Sequence, residues 1–226
     1  MKISSTRVVA ICATLLLSGN ALANDNIWVG LKAGTLGLGI EASWRPIPWL
    51  DVRAGANQYD YDDSGSQAGI NYDATLGLET YYATANFRFP LSPFRMTLGA
   101  FSNSNEVEMT SMDMPAYTVG DNPLPYLPTE VGTLRSSTTF DSVSPYLGAG
   151  FDFDVVGRLG LSLDFGVLWQ GEPIVGLTAD GTLATDPGPA GDLFRASLEA
   201  ERVELEKEVE DLKAYPVIQI GFHFNF

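Results

Sequence analysis

Residues 215–226 read Y-P-V-I-Q-I-G-F-H-F-N-F. Ile218, Ile220, Phe222, Phe224 and Phe226 fall on one side of a period-two alternation, and Val217, Gln219, Gly221, His223 and Asn225 on the other. Period two is the repeat of a strand, so this segment is a strand with one apolar and one polar face. Such a strand serves a soluble sandwich, apolar side inward, or a membrane barrel, apolar side outward. A sandwich strand would rarely stop on a bare aromatic residue, and the barrel is tested along the rest of the chain.

The N-terminus carries an export pattern. Lys2 and Arg7 flank the entry to an apolar run over 8–17, and Ala21-Leu22-Ala23 has the small-x-small form of a cleavage site. The expected layout is a cleaved signal peptide over 1–23 and one barrel domain over 24–226. The only cysteine, Cys12, lies inside the signal behind Ile11, where a lipoprotein signal wants a small residue, so neither lipidation nor a disulfide is expected. Beyond residue 23 no stretch approaches the roughly 18 uninterrupted apolar residues of a membrane helix. A membrane-embedded product must then be a closed barrel, because only closure satisfies the backbone without water. Without Lys2 and Arg7 the chain has 11 basic against 28 acidic residues, a net charge of −17. That balance repels phosphate and excludes nucleic acid as a partner.

Alternation recurs along the chain. Over 27–45, Leu36, Leu38, Ile40, Ala42 and Trp44 share a face, before the breaker Pro46-Ile47-Pro48. Strands follow over 50–61, 75–89, from Phe94, over 144–154 and from Leu159 to Trp169. Connections alternate between short (46–49, 90–93, 155–157) and long (60–74, 109–137, 171–214), the distribution of periplasmic turns and external loops in outer-membrane barrels. Aromatics gather beside the short turns: Trp44, Trp49, Phe87, Phe89, Phe94, Phe151 and Phe153, with Phe224 and Phe226 at the terminus, an interfacial girdle. Parity sets the strand count. Six strands from Leu50 onward plus one over 27–45 make an odd total that cannot close, so the first stretch is split near Gly34-Thr35. The prediction is an all-β, eight-stranded antiparallel transmembrane barrel. An amphipathic helix belongs in its last long external loop, with Asp192 as N-cap and Phe194, Leu198, Leu205, Val209 and Leu212 as the docking stripe.

The final strand, ending in Phe222, Phe224 and Phe226, resembles the closing strand of outer-membrane barrels, which implies recognition by the outer-membrane assembly machinery. The segments T-L-G-L-G-I-E-A-S-W with P-W-L-D-V-R-A-G-A-N, S-P-Y-L-G-A-G-F (144–151) and W-Q-G-E-P (169–173), and an acidic helix before Y-P-V, resemble the CarO-type small outer-membrane channels. More broadly the chain is similar to OmpA- and OmpX-like eight-stranded barrels. The resemblance implies an outer-membrane location in a Gram-negative cell and uptake of small cationic solutes, basic amino acids such as ornithine among them. The alternative is a structural, non-conducting barrel.

With apolar side chains facing lipid, the lumen receives Lys32, Glu41, Arg45, Asp51, Arg53, Arg88, Arg95, Asp152, Asp154 and Asp164. An eight-stranded interior is just wide enough for side chains to fill, so these charges must pair. Hairpin register sets Arg45 opposite Asp51 and Arg53 opposite Ser43, and leaves Asp152 or Asp154 to bridge Arg88 and Arg95. The pairs form either a static lattice holding register or one that rearranges to pass solute. Acids crowd the external loops: Asp60, Asp62, Asp63 and Asp73, then Glu106, Glu108, Asp113, Asp121 and Glu130, then 11 more over 171–214. They would concentrate cations at the mouth, or bridge through divalent ions to outer-membrane lipid and glycolipid. Asp60, Asp62 and Ser64 match the opening of a calcium loop, but its twelfth position is Asn71 and strands flank it, so neither metal nor cofactor is expected. The single histidine, His223, lies at the periplasmic end facing inward, and no Ser/His/acid set can assemble at the outer rim, so catalysis is not expected.

Overall fold

The computed structural model describes residues 26–226 except 68–69, 112–115, 117–118 and 120–124. The signal peptide, Asp113 and Asp121 lie outside the described residues. Eight antiparallel strands close into a barrel: β1 (Ile27–Gly34), β2 (Gly37–Ile47), β3 (Leu50–Gln67), β4 (Ile70–Arg88), β5 (Phe94–Asn103), β8 (Val143–Val156), β9 (Leu159–Trp169) and β11 (Ala214–Asn225). Closure is made by β11 on β1, from Trp28 opposite Asn225 to Gly34 opposite Gln219. The 27–45 stretch does divide, at a two-residue turn, Thr35-Leu36, between the paired Gly34 and Gly37. Gly37 takes φ +89°, and a Cβ there would run into Tyr59. Leu36 leaves the outward set for the same reason: the turn rotates it into the barrel, where it is 1% exposed.

The outer wall is apolar. Leu38, Leu98 and Phe222 are each 65% exposed, with Leu31, Phe165, Ile218 and Ile220 beside them. At the end with the short turns a chain of ring contacts runs Trp49, Phe87, Phe89, Phe94, Phe151, Phe153, with centroids 5.2–6.2 Å apart. Phe226 departs from the expected face. It follows the last strand residue, donates its backbone N–H to Ile27 O at 3.1 Å, and buries its ring at the barrel's lower end.

The long connections are not the loops that their Ser, Asp and Gly content suggests. β3 and β4, with 18 and 19 residues, run far past the roughly 10 needed to cross a bilayer. The lower part of β4, 80–88, pairs with β5, and its upper part, 72–77, with β6 (Glu106–Ser111). β7 (Leu134–Thr139) and β10 (Ile174–Ala179) extend that edge into a second, extramembrane sheet. Three helices accompany it: α1 (Pro128–Val131), α2 (Thr182–Thr185) and α3 (Pro189–Glu208). Phe194 of α3 packs with Tyr72, Val119, Val131 and Leu134, with Leu198 against the same cluster. The helix starts at Pro189 behind Gly188, one turn before the expected Asp192 cap, because proline is pre-set for the first turn. Leu212 lies in a separate 3-10 turn, Glu210–Lys213, and is exposed.

Asp60, Asp62 and Ser64 therefore sit at alternate positions of an extended strand, on one face, instead of wrapping a loop as calcium ligation requires. Asp62 accepts the Thr75 hydroxyl at 2.8 Å.

Two outcomes are expected. Leu98→Arg should destabilise the barrel in lipid by about 2–4 kcal/mol if its side chain lies near the midplane, whereas Leu193→Arg on the solvated helix should be near neutral, read by urea unfolding from vesicles. In the extramembrane sheet, Asp180 accepts the Thr133 N–H at 2.6 Å and Arg135 Nη1 at 3.2 Å. These hold its carboxyl below the ordinary range, the backbone bond contributing most. A lowered folded-state pKa means the clasp is intact above the unfolded value and lost as pH falls through the folded one. Thr133 amide exchange, corrected for intrinsic rate, should accelerate below about pH 4, and Asp180→Asn should abolish that pH step.

Candidate functional site

Alternation turns every second residue of the barrel strands inward, and the lower lumen is filled by charge. Lys32 comes from β1, Glu41 from β2, Asp51 and Arg53 from β3, Arg88 from β4, Arg95 from β5, Asp152 from β8 and Asp164 from β9. Lys32 Nζ lies 2.6 Å from Glu41 and 3.0 Å from Asp164. Arg53 reaches Asp51 at 2.9 Å, Asp152 at 2.8 Å and Glu41 at 3.5 Å. Arg88 bridges Asp51 at 3.2 Å and Asp152; Arg95 bridges Asp152 at 3.2 Å and Asp164. Four cations thus meet four carboxylates, and each carboxylate touches at least two cations.

Neutrality is the condition for burial. Arg53 and Arg95 are each 1% exposed, and an unpaired charge at that depth would be very costly. Neutral partners complete the shell: Tyr82 donates its hydroxyl to Glu41 at 2.7 Å, and Asn86 Oδ1 and Thr97 Oγ1 accept from Arg95 Nη1, both at 2.9 Å. The Arg53 guanidinium also lies 4.6 Å from the Trp28 ring centroid, a cation–π contact.

Two of the ten lumen residues named from sequence stay outside this lattice. The register of β2 on β3 shifts between Trp44 and Ile47, and that of β8 on β9 between Asp154 and Val156. The first bulge re-aims Arg45, whereas Asp154 precedes the second, stays in register opposite Gly160 and lies past the lattice near the strand's end. Arg45 therefore does not face Asp51 and, among the described residues, forms no ion pair; Asp154 is exposed at the barrel's end.

Above the charges the filling changes to apolar. Leu36, Tyr82, Phe101, Tyr146, Leu168 and Val217 pack as one cluster across the lumen, with Tyr82–Phe101 and Phe101–Tyr146 centroids 4.8 and 5.1 Å apart. Glycines make room for these rings. Gly55 is paired with Tyr82, and a Cβ on Gly55, Gly148 or Gly166 would overlap a tyrosine ring. This layer was missed in the sequence, where its signal is visible in retrospect as Phe101, Leu168 and Val217 standing at lumen parity. The space left among Lys32, Glu41, Arg53, Tyr82, Arg95 and Asp164 is about 10 Å³, room for one water at most. In this conformation the lumen is shut.

Below the lattice a chamber of about 290 Å³ opens to the end with the short turns, lined by Trp28, Arg45, Asp154, Arg158, His223 and Phe226 among others. His223 is buried with its ring 4.7 Å from Trp28.

Two solved structures share this arrangement of strands. CarO2 of Acinetobacter baumannii superposes with a TM-score of 0.58 at 20% identity, over 88% of this chain and 98% of that one. CarO of the same organism gives 0.55 at 21% identity, over 88% and 97%. The chain has the CarO fold. No protein-family model and no curated protein sequence matches it. The apolar wall and aromatic belt described above are what a lipid bilayer requires of such a barrel.

Truncating one partner of the lattice strands the others. Arg95→Ala and Asp152→Asn should each cost about 3–5 kcal/mol of barrel stability, while Asp154→Asn should cost under about 0.5 kcal/mol, as read by urea midpoints of folded and unfolded gel mobility.

Proposed function

We propose that this chain is a CarO-like outer-membrane barrel, closed at rest, that passes small cationic solutes of the basic amino-acid kind when its lumen lattice rearranges. The observation carrying this reading is the sharing of every lattice carboxylate. Asp152 holds Arg53, Arg88 and Arg95, Asp164 holds Lys32 and Arg95, Glu41 holds Lys32 and Arg53, and Asp51 holds Arg53 and Arg88. A guanidinium or ammonium group of a solute can displace one partner while the carboxylate keeps the other, so exchange need not leave a bare buried charge. A lattice of fixed single pairs would offer no such stepwise route. The apolar layer must also part, and its member Leu36 sits on a two-residue turn at the rim.

A structural barrel is the second reading, and one observation favours it. Four of the hairpin acids do not face the mouth: Asp60 and Glu106 flank Gly77, and Asp62 and Glu108 flank Thr75, in the register that continues the lipid-facing side of β3 and β4. There they meet headgroups, where divalent ions could bridge them to anionic glycolipid.

Conductance of refolded protein in planar bilayers separates the two. The channel reading expects brief, small, cation-selective events in the wild type that become larger and longer in Arg95→Ala and in Leu168→Ala. Silence in all three proteins, each folded by gel mobility, would leave the structural barrel; anion preference would contradict the exchange route.

A further inference from the structure

The chamber below the lattice has chemistry that the lattice does not use. Arg45 and Arg158 line it, and neither forms an ion pair among the described residues. Arg45 Nε is buried without a hydrogen-bond partner among those residues, and so is Nδ1 of His223, a side chain 5% exposed. Arg88 and Asp152 also line the chamber but satisfy each other within the lattice. A buried cationic donor with no acceptor is costly, so Arg45 Nε calls for an acceptor that the described protein does not supply, and Nδ1 of His223 is a second unsatisfied polar atom lining the same chamber. The volume of about 290 Å³ admits a group of several heavy atoms, far more than the single water of the upper void.

We infer that this periplasmic chamber is a binding site for a small oxyanion, a carboxylate or a phosphate, held between the Arg45 and Arg158 guanidinium groups beside His223. Guanidinium forks match both kinds of oxyanion in two-point geometry. The site is built by the closing strand. Asn225 donates its backbone N–H to Arg158 O at 2.8 Å and Phe226 to Ile27 O at 3.1 Å, so the turn bearing Arg158 and the edge beside Arg45 are both tied to β11. Asp154 on the chamber wall opposes the anion and restricts the site to modest affinity. The inference does not depend on whether the lumen conducts.

His223 is the only histidine, so its imidazole gives a single reporter resonance. The full barrel is refolded in uncharged maltoside micelles in a phosphate-free buffer of constant ionic strength set by chloride, and titrated separately with inorganic phosphate and with succinate. Saturable movement of the imidazole resonance in the millimolar range is expected with one or both probes, and which one identifies the oxyanion. Binding should weaken by about tenfold or more in Arg45→Gln and in Arg158→Gln, each shown folded by heat-modifiable gel mobility. An unchanged titration in the double variant overturns the site, as does a wild type that responds to neither probe.

Discussion

Hydrocarbon offers the backbone no hydrogen-bond partner, and the structure follows from that constraint. A sheet crossing a bilayer cannot keep an edge, so the last strand must find the first. Here it does so through seven paired positions between Trp28–Gly34 and Gln219–Asn225. Closing at eight strands fixes the interior width, and that width holds side chains with almost nothing to spare. The contents of the lumen are then a packing problem as strict as any soluble core.

Two fillings solve it at two heights. Near the aromatic belt, charges fill the lumen, and they can do so only because four cations from β1, β3, β4 and β5 meet four carboxylates from β2, β3, β8 and β9. Towards the outer face, the Tyr82 and Tyr146 rings lie over inward glycines and close the remaining space with Phe101, Leu36, Leu168 and Val217. The first filling ties strands together across the lumen as well as along the ladder. The second makes a dry lid over the charges, which strengthens their pairing by excluding water. A conducting state must open both, so any transport through this barrel is gated by its own core.

Outside the membrane the same backbone rule is relaxed, and the chain uses the freedom to build a second sheet on the overshoot of β3 and β4. Its inner side carries Tyr72 and Leu134 and is covered by Phe194 of α3; its outer side carries Asp60, Asp62, Glu106 and Glu108. Along α3, Arg202 is flanked by Glu199 and Glu206, both at 2.8 Å, so the helix keeps its solvent face by ion pairs and its docked face by Phe194, Leu198 and Leu205. The barrel and this sheet share β3 and β4 as continuous strands.

The sequence by itself determined the barrel, its eight strands and the alternation of their side chains. Each of these follows from a period of two, from parity and from the cost of a membrane edge, all of which are local or countable. Tertiary structure decided the rest. Whether 60–74 and 109–137 are loops depends on a partner edge far along the chain, because polar residues form strands readily where one face meets water. Whether Arg45 joins the lattice depends on a bulge beside its turn, and whether Asp154 does depends on its height near the strand's end, neither of which simple alternation reveals. Whether the lumen is open depends on how six side chains, five from separate strands and one from a turn, meet at one height, and no single segment encodes that meeting.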